Sequence, residues 1–353
     1  MNHTMSAVPH GHDGIVGDYT LGALLGSGSF GSVHHVNAVS TAAHERLAAT
    51  PGYAKDMSLA IKVLRVGSRG VNRHDLERRF NREVELLQTA GSAQATYVLR
   101  LLDSGFDGTT AFMVSAEFDH SLEHRLALGP LTPDEARNVA FSSCFALAAM
   151  HQVDLIHGDL KPANMLVDAG PYGFGSLVAQ ASSSTPHGRS SGNPAIPNTG
   201  LSEELPPVGS AVLADFGIAR DVRAVEQSLM ATPWYAAPEF VQGDQASAEA
   251  ALRPEFDLFG LGAVLFECVA GERWDAQFQL DDPVGLDGIQ SAWTKRRQLA
   301  SEGVNPTVPT IFDEGLREII MGLLDRDLRI RRRAAQTLDS EATAWFKRLR
   351  RKP

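Results

Sequence analysis

Three polar side chains that could carry chemistry lie within six residues of one another near the middle of the chain. Asp159 is a carboxylate that could accept a proton, and Lys161 is an ammonium that could hold a phosphoryl group during its transfer. Asn164 offers a carboxamide oxygen, and Asp215, after an apolar run, offers a second oxygen ligand for a hard cation. A polar turn with solvated charges is the simpler alternative for this segment.

A lysine and a glutamate further upstream form a second candidate pair. Lys62 ends the apolar run Leu59–Ile61, where a lysine is usually exposed to solvent. Glu83 changes this interpretation, because it lies three residues after Phe80 on the inward face of a helix predicted over Arg73–Ala90. An inward glutamate needs a cation, and we predict that Lys62 supplies it.

A glycine-rich turn runs from Gly26 to Gly31 between two predicted strands. Its glycines let backbone amides approach phosphate oxygens, because no Cβ stands in the way. With 32 glycines in 353 residues, this spacing alone is weak evidence for a nucleotide site. A strand is predicted after the turn, which excludes a dinucleotide fingerprint, and the Gly-Lys-Ser/Thr of a P-loop is missing.

The elements that must position these residues divide the chain into a β-rich part and a helical part. Apolar and β-branched runs predict strands over Tyr19–Leu25, Ser32–Val39 and Ser58–Val66. After Glu117 the pattern becomes helical. Thr132 and Glu135 predict a capping box for a helix that continues to His151. Further helices are predicted over Ala42–Ala49 and Glu255–Ala270.

The stretch Ala169–Ser210 differs in composition from the rest of the chain, since 21 of its 42 residues are Gly, Pro or Ser. It has neither helical nor strand periodicity, so we predict a disordered insertion. The apolar runs on either side, Asn164–Asp168 and Ala211–Asp215, could pair as a hairpin. Lengthening its connection to 42 residues costs only about 2 kcal/mol in closure entropy. The insertion's ten serine and threonine hydroxyls could serve autophosphorylation or docking, and a passive tether explains it equally well.

Composition restricts the classes of function. With 32 Lys and Arg against 42 Asp and Glu, the net charge of −10 gives no indication of a nucleic-acid or membrane-surface binder, which would need a basic face. Two cysteines, Cys144 and Cys268, exclude a disulfide framework and fit a reducing compartment. No apolar run is long enough for a membrane span, and residues 1–18 have no signal-peptide pattern. We therefore predict a cytoplasmic protein with a disordered tail over residues 1–18.

Three further motifs follow in order: Asp215-Phe216-Gly217, then Thr232–Glu239 (Thr-Pro-Trp-Tyr-Ala-Ala-Pro-Glu), then Asp257–Gly262. Together with the segments above, they resemble the ordered signatures of eukaryotic-type (Hanks-type) serine/threonine protein kinases, particularly the bacterial ones. The resemblance runs from about Tyr19 to Phe346. It implies an α+β bilobal fold, with a small β-rich N-lobe over residues 19–118 and a larger α-rich C-lobe over residues 119–353.

The resemblance also implies the reaction and its participants. The protein would transfer the γ-phosphate of ATP to serine or threonine hydroxyls of protein substrates, with Mg²⁺ or Mn²⁺ as the metal. Asp159 would orient and deprotonate the hydroxyl, Lys161 would neutralise the γ-phosphate, and Asn164 and Asp215 would hold the metal ions. ATP would be bound by Leu25, Gly26, Ser27, Gly28, Ser29, Phe30, Gly31, Val33, Ala60, Lys62, Glu83, Glu117 and Leu166.

Within this set, the resemblance implies distinct contacts with the nucleotide. Lys62 would hold the α- and β-phosphates and pair with Glu83. Adenine would lie between Val33 and Ala60 on one side and Leu166 on the other, beside a hinge at Glu117–Asp119. Outside the nucleotide site, Glu239 would form a structural salt bridge with Arg331.

The sequence departs from the family pattern at Gly158, where the family usually has an arginine that binds a phosphate on the activation segment. We therefore hypothesise an activation segment that becomes ordered without this arginine, so that phosphorylation of Ser228 is not required. A small residue, Ala116, precedes the hinge, and we predict that it leaves a roomy pocket behind adenine.

Two other classes of function stay open. The sequence His-Gly-Asp also resembles the aminoglycoside and choline kinases, which phosphorylate small molecules, but those lack the segment Thr232–Glu239 that seats a peptide. A pseudokinase scaffold is the third possibility. It is disfavoured because the sequence retains every catalytic position of the family: Lys62, Glu83, Asp159, Asn164 and Asp215.

Overall fold

A computed structural model describes residues 14–28, 31–65, 73–92, 96–168, 208–222, 231–241, 249–278, 285–304, 306–310 and 313–349 of the chain. The chain divides into two compact units. The first contains the residues up to Gln88 and Leu99–Glu117, and the second contains Thr89–Val98 and the residues from Phe118 onward. The predicted division after residue 118 differs by one residue from the observed one after Glu117.

Six strands form an antiparallel sheet in the first unit, in the order β1-β2-β3-β4-β6-β5. The sheet accounts for all three predicted strands, although Val66 lies outside the described residues. The strands β2 and β3 are longer than predicted, since their pairing extends as far as Gly28 and Gly31, although its register shifts at three points. The strands are β1 (Ile15–Val16), β2 (Tyr19–Gly28), β3 (Gly31–Val39), β4 (Leu59–Arg65), β5 (Asp103–Asp107) and β6 (Thr110–Ala116).

Residues 14–18 belong to the sheet, so the predicted disordered tail over residues 1–18 is wrong at its end. Ile15 pairs with Thr20 and Val16 with Tyr19, across a tight turn in which Gly17 has a φ of 56°. Val16 is buried in the apolar cluster of the first unit. A two-residue Gly-Asp turn between apolar residues is a hairpin signal, and it outweighs the polar composition of the tail. Residues 1–13 lie outside the described residues.

The predicted short helix is present as α1 (Thr41–Ala48), one residue earlier than expected. The Ser40 hydroxyl caps it by accepting a hydrogen bond from the Ala43 amide at 3.1 Å. Leu47 is buried on its inner side, in the same cluster as Ile61 of β4. The helix therefore covers one face of the sheet with apolar side chains.

The helix α2 (Arg73–Ser92) extends two residues beyond its predicted end. Phe80, which lies on its predicted inward face, is buried, and Leu87 is buried as well. Glu83 is buried with them, as its position on that face predicts.

The second unit is mainly helical. The predicted capping box begins α4: the Thr132 amide donates to Glu135 Oε2 at 2.8 Å, and the Glu135 amide donates to the Thr132 hydroxyl at 3.3 Å. The predicted helix over Glu255–Ala270 is confirmed as α5, which is apolar and buried along most of its length. The longer helices described in this unit are α4 (Pro133–His151), α5 (Pro254–Ala270), α6 (Gly285–Ser301) and α8 (Leu328–Leu349). The shorter ones are α3 (Leu122–Leu126) and α7 (Glu314–Leu323).

Two small sheets complete the second unit. The predicted hairpin is confirmed: β9 (Met165–Asp168) pairs antiparallel with β10 (Ser210–Leu213). The strand β7 (His120–Ser121) joins the other edge of β9, and β8 (Leu155–Ile156) pairs separately with β11 (Arg220–Asp221). The N-terminal sheet and the helical region that follows confirm the predicted α+β fold class.

Two boundaries differ from the predictions. The disordered insertion predicted to end at Ser210 is wrong for its last three residues, because Val208 and Ser210 are buried and the Val208 amide donates to Glu135 Oε1 at 2.9 Å. Residues 169–207 lie outside the described part of the chain. Thr89–Val98, predicted in the N-lobe, belong to the second unit, where the Leu213 amide donates to the Tyr97 carbonyl at 2.9 Å.

Among the helices that the structure describes, none combines the length and the apolar character needed to cross a membrane.

Candidate active site

The carboxylate of Asp159 lies at the centre of a hydrogen-bonded network in the second unit. Its Oδ2 atom accepts a hydrogen bond from Lys161 Nζ at 2.6 Å and one from Asn164 Nδ2 at 3.1 Å. Its Oδ1 atom accepts from the Thr232 hydroxyl at 2.6 Å and from the Thr232 amide at 3.1 Å. Lys161 also donates to the Thr232 hydroxyl at 3.3 Å. The network fixes the carboxylate in one orientation and keeps three side-chain donors beside it.

The two predicted metal ligands lie at the same end of the β9–β10 hairpin. Asn164 immediately precedes β9, Asp215 lies two residues after β10, and the Ala214 amide donates to the Asn164 carbonyl at 2.9 Å. Asn164 donates from Nδ2 to the Asp159 carbonyl oxygen and to Asp159 Oδ2, which turns its own Oδ1 atom away from that residue. Asp215 is exposed and has a φ of 60°, a backbone conformation that is uncommon outside glycine. One carboxylate and one carboxamide oxygen at the same end of this hairpin fit the donor preference of Mg²⁺.

Asp257 on α5 fixes the backbone of His157 and Gly158, the two residues before Asp159. Its carboxylate accepts hydrogen bonds from the His157 amide and the Gly158 amide, both at 2.8 Å, and from His151 Nε2 at 2.9 Å. Burial of Asp257 opposes its ionisation, but the hydrogen bond from His151 and the neighbouring donors outweigh burial and lower the pKa of its carboxyl group. Asp257 is therefore a fixed negative charge that sets the path of the chain just before Asp159.

Gly158 lies where the chain permits no other residue without strain. Its φ is 80°, and a Cβ atom there would lie 2.5 Å from a guanidinium nitrogen of Arg220. Arg220 is fully buried, and its guanidinium carbon lies 5.1 Å from the centre of the Phe256 ring. The buried Arg220 therefore packs against Gly158, the position at which the resembled kinases usually have an arginine. Whether the activation segment orders without phosphorylation stays a prediction, since Ser228 lies outside the described residues.

In the first unit, the predicted pair of Lys62 and Glu83 is present. Lys62 Nζ donates to Glu83 Oε1 at 2.7 Å, and the glutamate side chain is 7% exposed while the lysine side chain is 28% exposed. The pair joins β4 to α2. Because the lysine keeps partial exposure, its ammonium group can also reach an anion in solvent.

The sheet register places three predicted nucleotide contacts on one face. Val33 pairs with Lys62 and His35 with Ala60, and directly opposed residues in an antiparallel pair project to the same side. Val33, Ala60 and Lys62 therefore share the face that carries Glu83. The apolar cluster with Ile61 and Val63 occupies the opposite face.

The same register corrects the prediction about Ala116. Ala60 pairs with Ser115 on β6, whereas Ala116 pairs with Leu59 and so projects to the other face of the sheet. The small residue beside the Ala60 and Lys62 face is therefore Ser115. A one-residue shift changes the face of every side chain on a strand, and the sequence has no turn at this point to fix the register.

The glycine-rich turn is described only in part, because Ser29 and Phe30 lie outside the described residues. Leu25 is 47% exposed, and a Cβ atom at Gly26 would meet nothing within 4 Å. At Gly31 a Cβ atom would lie 2.1 Å from the Val63 carbonyl oxygen. Gly31 is therefore required by the close approach of β4, whatever else the turn binds, while Gly26, Ser27 and Gly28 continue β2.

The remaining predicted contacts are Glu117, the last residue of the first unit, and Leu166 in the second unit. The Glu117 amide donates to the Ser58 carbonyl at 2.9 Å, so this N–H group is not available to a ligand. The Glu117 carboxylate bonds to His35 Nδ1 at 2.5 Å. Leu166 on β9 is partly exposed between two buried neighbours and thus projects to the opposite side of its strand.

The structural salt bridge of the second unit is confirmed. Arg331 NH1 donates to Glu239 Oε1 at 2.7 Å, and Arg331 is fully buried. The bridge joins α8 to the short 3₁₀ turn Pro238–Phe240 and so secures the end of the segment that begins at Thr232.

The structure thus brings together Asp159, Lys161 and Asn164, and separately Lys62 and Glu83. The arrangement of these residues and of Asp215 around one ATP triphosphate stays a prediction. The sequence motifs predicted no role for Asp257, for the side chain of Thr232 or for Arg220. For Asp257 a signal existed, because a carboxylate inside the apolar run of α5 must have buried donors around it. Thr232 carried no such signal, since it lies 73 positions from Asp159.

Comparison with known proteins identifies the family of the chain. Residues 19–343 match the protein kinase domain, and the chain therefore belongs to the protein kinase family. Its relatives include the serine/threonine-protein kinase PrkC of Bacillus subtilis, which is 24% identical over 82% of this chain and 37% of PrkC. PknB of Mycobacterium tuberculosis, also a serine/threonine-protein kinase, is 27% identical over 76% of this chain and 34% of PknB. The chain thus spans about a third of the length of these two relatives.

A fungal relative shares higher identity over a shorter region. The serine/threonine-protein kinase atg1 of Aspergillus niger is 34% identical over 181 residues, which are 51% of this chain and 16% of atg1. Relatives as different as bacterial and fungal serine/threonine kinases therefore match the same chain.

Proposed function

We propose that this protein is a serine/threonine protein kinase that uses ATP and Mg²⁺, with Asp159 as the base that orients and deprotonates the acceptor hydroxyl. The observation that carries the proposal is the network around Asp159. A carboxylate held by Lys161, Asn164 and Thr232 has the fixed orientation that proton transfer needs.

The reaction follows from the charges of these groups. The hydroxyl oxygen of the acceptor forms a bond to the γ-phosphorus as the bond to the β–γ bridging oxygen breaks, which releases ADP, and the hydroxyl proton passes to Asp159. Lys161 neutralises charge on the transferred group, and Lys62 holds the α- and β-phosphates. Because the transition state is loose, positioning and charge neutralisation contribute most of the rate.

Asn164 and Asp215 would hold the magnesium ions. Bound there, magnesium would neutralise charge on the phosphate oxygens and fix their position. Both residues supply hard oxygen donors from the same end of the β9–β10 hairpin, which supports this assignment. Manganese has the same donor preference and is an alternative metal.

Protein acceptors are favoured over small molecules by the segment Thr232–Glu239. Thr232 bonds to Asp159, and Glu239 bonds to Arg331, so both ends of the segment are fixed. In the family this segment seats a peptide. The serine/threonine preference is supported by the names of the relatives and by Lys161, since tyrosine kinases carry other residues at that position.

One experiment separates the three classes of function. The protein is incubated with Mg²⁺ and γ-labelled ATP, with a generic protein or with aminoglycosides and choline as acceptors, and Asp159→Ala is run in parallel. We expect label on phosphoserine and phosphothreonine of the protein, reduced about 10²- to 10⁴-fold by the substitution. Label only on the amino-alcohols would establish a small-molecule kinase, and no Asp159-dependent transfer would establish a pseudokinase.

A further inference from the structure

A buried arginine on α6 is bonded to the backbone of the segment that follows the catalytic network. Arg296 is 3% exposed, and its guanidinium group donates from Nε to the Pro233 carbonyl at 2.9 Å and from NH2 to the Ala236 carbonyl at 2.5 Å. The first carbonyl belongs to the first residue of the 3₁₀ turn Pro233–Tyr235, and the second belongs to the residue that follows the turn. One rigid, planar group therefore spans the turn and fixes the separation of its two ends.

A second donor holds the middle of the same turn. The Trp274 indole nitrogen donates to the Trp234 carbonyl at 2.8 Å, and the two tryptophan rings meet edge to face with centres 6.4 Å apart. The guanidinium carbon of Arg296 lies 4.7 Å from the centre of the Trp274 ring. Arg296 and Trp274 contact each other and together donate hydrogen bonds to three backbone carbonyls in and just after the turn.

The turn Pro233–Tyr235 directly follows Thr232, which belongs to the hydrogen-bonded network around Asp159. Thr232, the residue before Pro233, donates its hydroxyl and its amide to Asp159 Oδ1. A displacement of the turn would therefore pull on the two hydrogen bonds that orient the carboxylate. Arg296 donates to the carbonyl of Pro233, the residue directly after Thr232. Only one peptide bond therefore separates the residue bonded to Arg296 from the residue bonded to Asp159.

The burial of a cation at this position calls for an explanation other than stability. Removing a guanidinium group from water is costly, and a packed apolar side chain would stabilise the fold at least as well. Burial lowers the pKa of Arg296 to about 10, so the group is still charged at neutral pH. Its hydrogen bonds go to carbonyl groups of a single turn, and that turn lies between Asp159 and the rest of the peptide-seating segment.

We propose that Arg296 is a positioning residue for the protein acceptor, which acts by holding the turn Pro233–Tyr235 in register with Asp159. This inference rests on the proposed protein kinase function and extends it to a residue outside the catalytic motifs. Arg296 touches neither ATP nor the reacting atoms in this role. Its loss would misplace the acceptor hydroxyl and leave nucleotide binding intact.

The test compares Arg296→Met with Arg297→Met. Arg297 is the next residue on α6 and is exposed, with a hydrogen bond to the Thr294 hydroxyl, so it is a control of matched chemistry. Steady-state transfer to a protein acceptor and the dissociation constant of Mg²⁺-ATP are measured for each. We expect Arg296→Met to lose about 100-fold in kcat/KM for the acceptor, since an ångström-scale misplacement costs that much, with an unchanged nucleotide dissociation constant. Arg297→Met should behave as wild type.

Two milder variants keep the test valid if Arg296→Met does not fold. Arg296→Lys retains the charge and can reach only one of the two carbonyls, and Trp274→Phe removes only the indole donor. Both should impair the acceptor kcat/KM by a smaller factor and leave the ATP dissociation constant unchanged. Folded variants that transfer at the wild-type rate, or that weaken ATP and acceptor binding equally, would overturn the inference alone. Absence of Asp159-dependent transfer in the wild type would overturn the proposed function as well.

Discussion

At the scale of single residues, Asp257 makes the sharpest link between buried charge and stability. Its carboxylate accepts at both oxygens, whereas an asparagine has one oxygen and would turn its NH₂ group toward an N–H donor. We expect Asp257→Asn to lower the free energy of unfolding at pH 7 by about 3 kcal/mol, because it leaves buried donors without an acceptor. Urea unfolding measures the loss, with the exposed Asp339→Asn as the control.

The same residue predicts a pH dependence with a definite sign. The pKa of Asp257 in the folded protein lies below its ordinary value of 3.8, so the unfolded chain binds the proton more readily. Its stabilising contribution is complete well above pH 3.8 and is lost as the pH falls through the lower, folded value. The difference in stability between wild type and Asp257→Asn should therefore be constant above about pH 5 and shrink in more acidic buffer. A difference that grew on acidification would contradict this account.

Gly158 gives a prediction about backbone strain. Alanine at this position would combine a φ of 80° with a Cβ atom 2.5 Å from the Arg220 guanidinium. We expect Gly158→Ala to lower the free energy of unfolding by about 1–3 kcal/mol. Gly91→Ala is the matched control, since a Cβ atom there meets nothing and alanine favours the helix, so it should be neutral or stabilising. Equal stability of the two variants in urea would count against strain at Gly158.

At the scale of elements, the start of α4 tests the effect of a capping box. Thr132→Ala removes the hydroxyl that accepts the Glu135 amide and leaves that amide without its side-chain partner. We expect a loss of about 1 kcal/mol in the free energy of unfolding, while Thr132→Ser, which keeps the hydroxyl, should recover most of it. Thermal or urea unfolding that failed to separate alanine from serine would show that the cap contributes nothing.

Elements whose signals are local were predictable from the sequence. The cap at Thr132, the apolar face around Phe80 and the unbroken apolar run of α5 each depend on residues within a few positions of one another. The register of β6 against β4 depends on residues far apart in the chain. The sequence therefore did not show that Ser115, and not Ala116, shares the face of Ala60. The strand Ile15–Val16 had a local signal in its Gly-Asp turn, which the polar composition of the tail obscured.

At the scale of the whole molecule, the ordered motifs predicted the family and the types of side chain in the site. They did not predict which other residues hold those side chains in place. Asp159 is oriented by Thr232, 73 positions away, and the chain before it is held by Asp257, about 100 positions away. Contacts of this range depend on the folded path of the chain and leave no periodic trace in the sequence.

The proposed phosphoryl transfer depends on the carboxylate of Asp159 as the base. The most direct measurement is the single-turnover rate of phosphoryl transfer from Mg²⁺-ATP to a saturating protein acceptor, for wild type, Asp159→Asn and the exposed control Asp154→Asn. We predict that Asp159→Asn binds ATP normally and slows the transfer step by about 10²- to 10⁴-fold, while the control transfers at the wild-type rate. Transfer by Asp159→Asn at the wild-type rate would contradict the central claim.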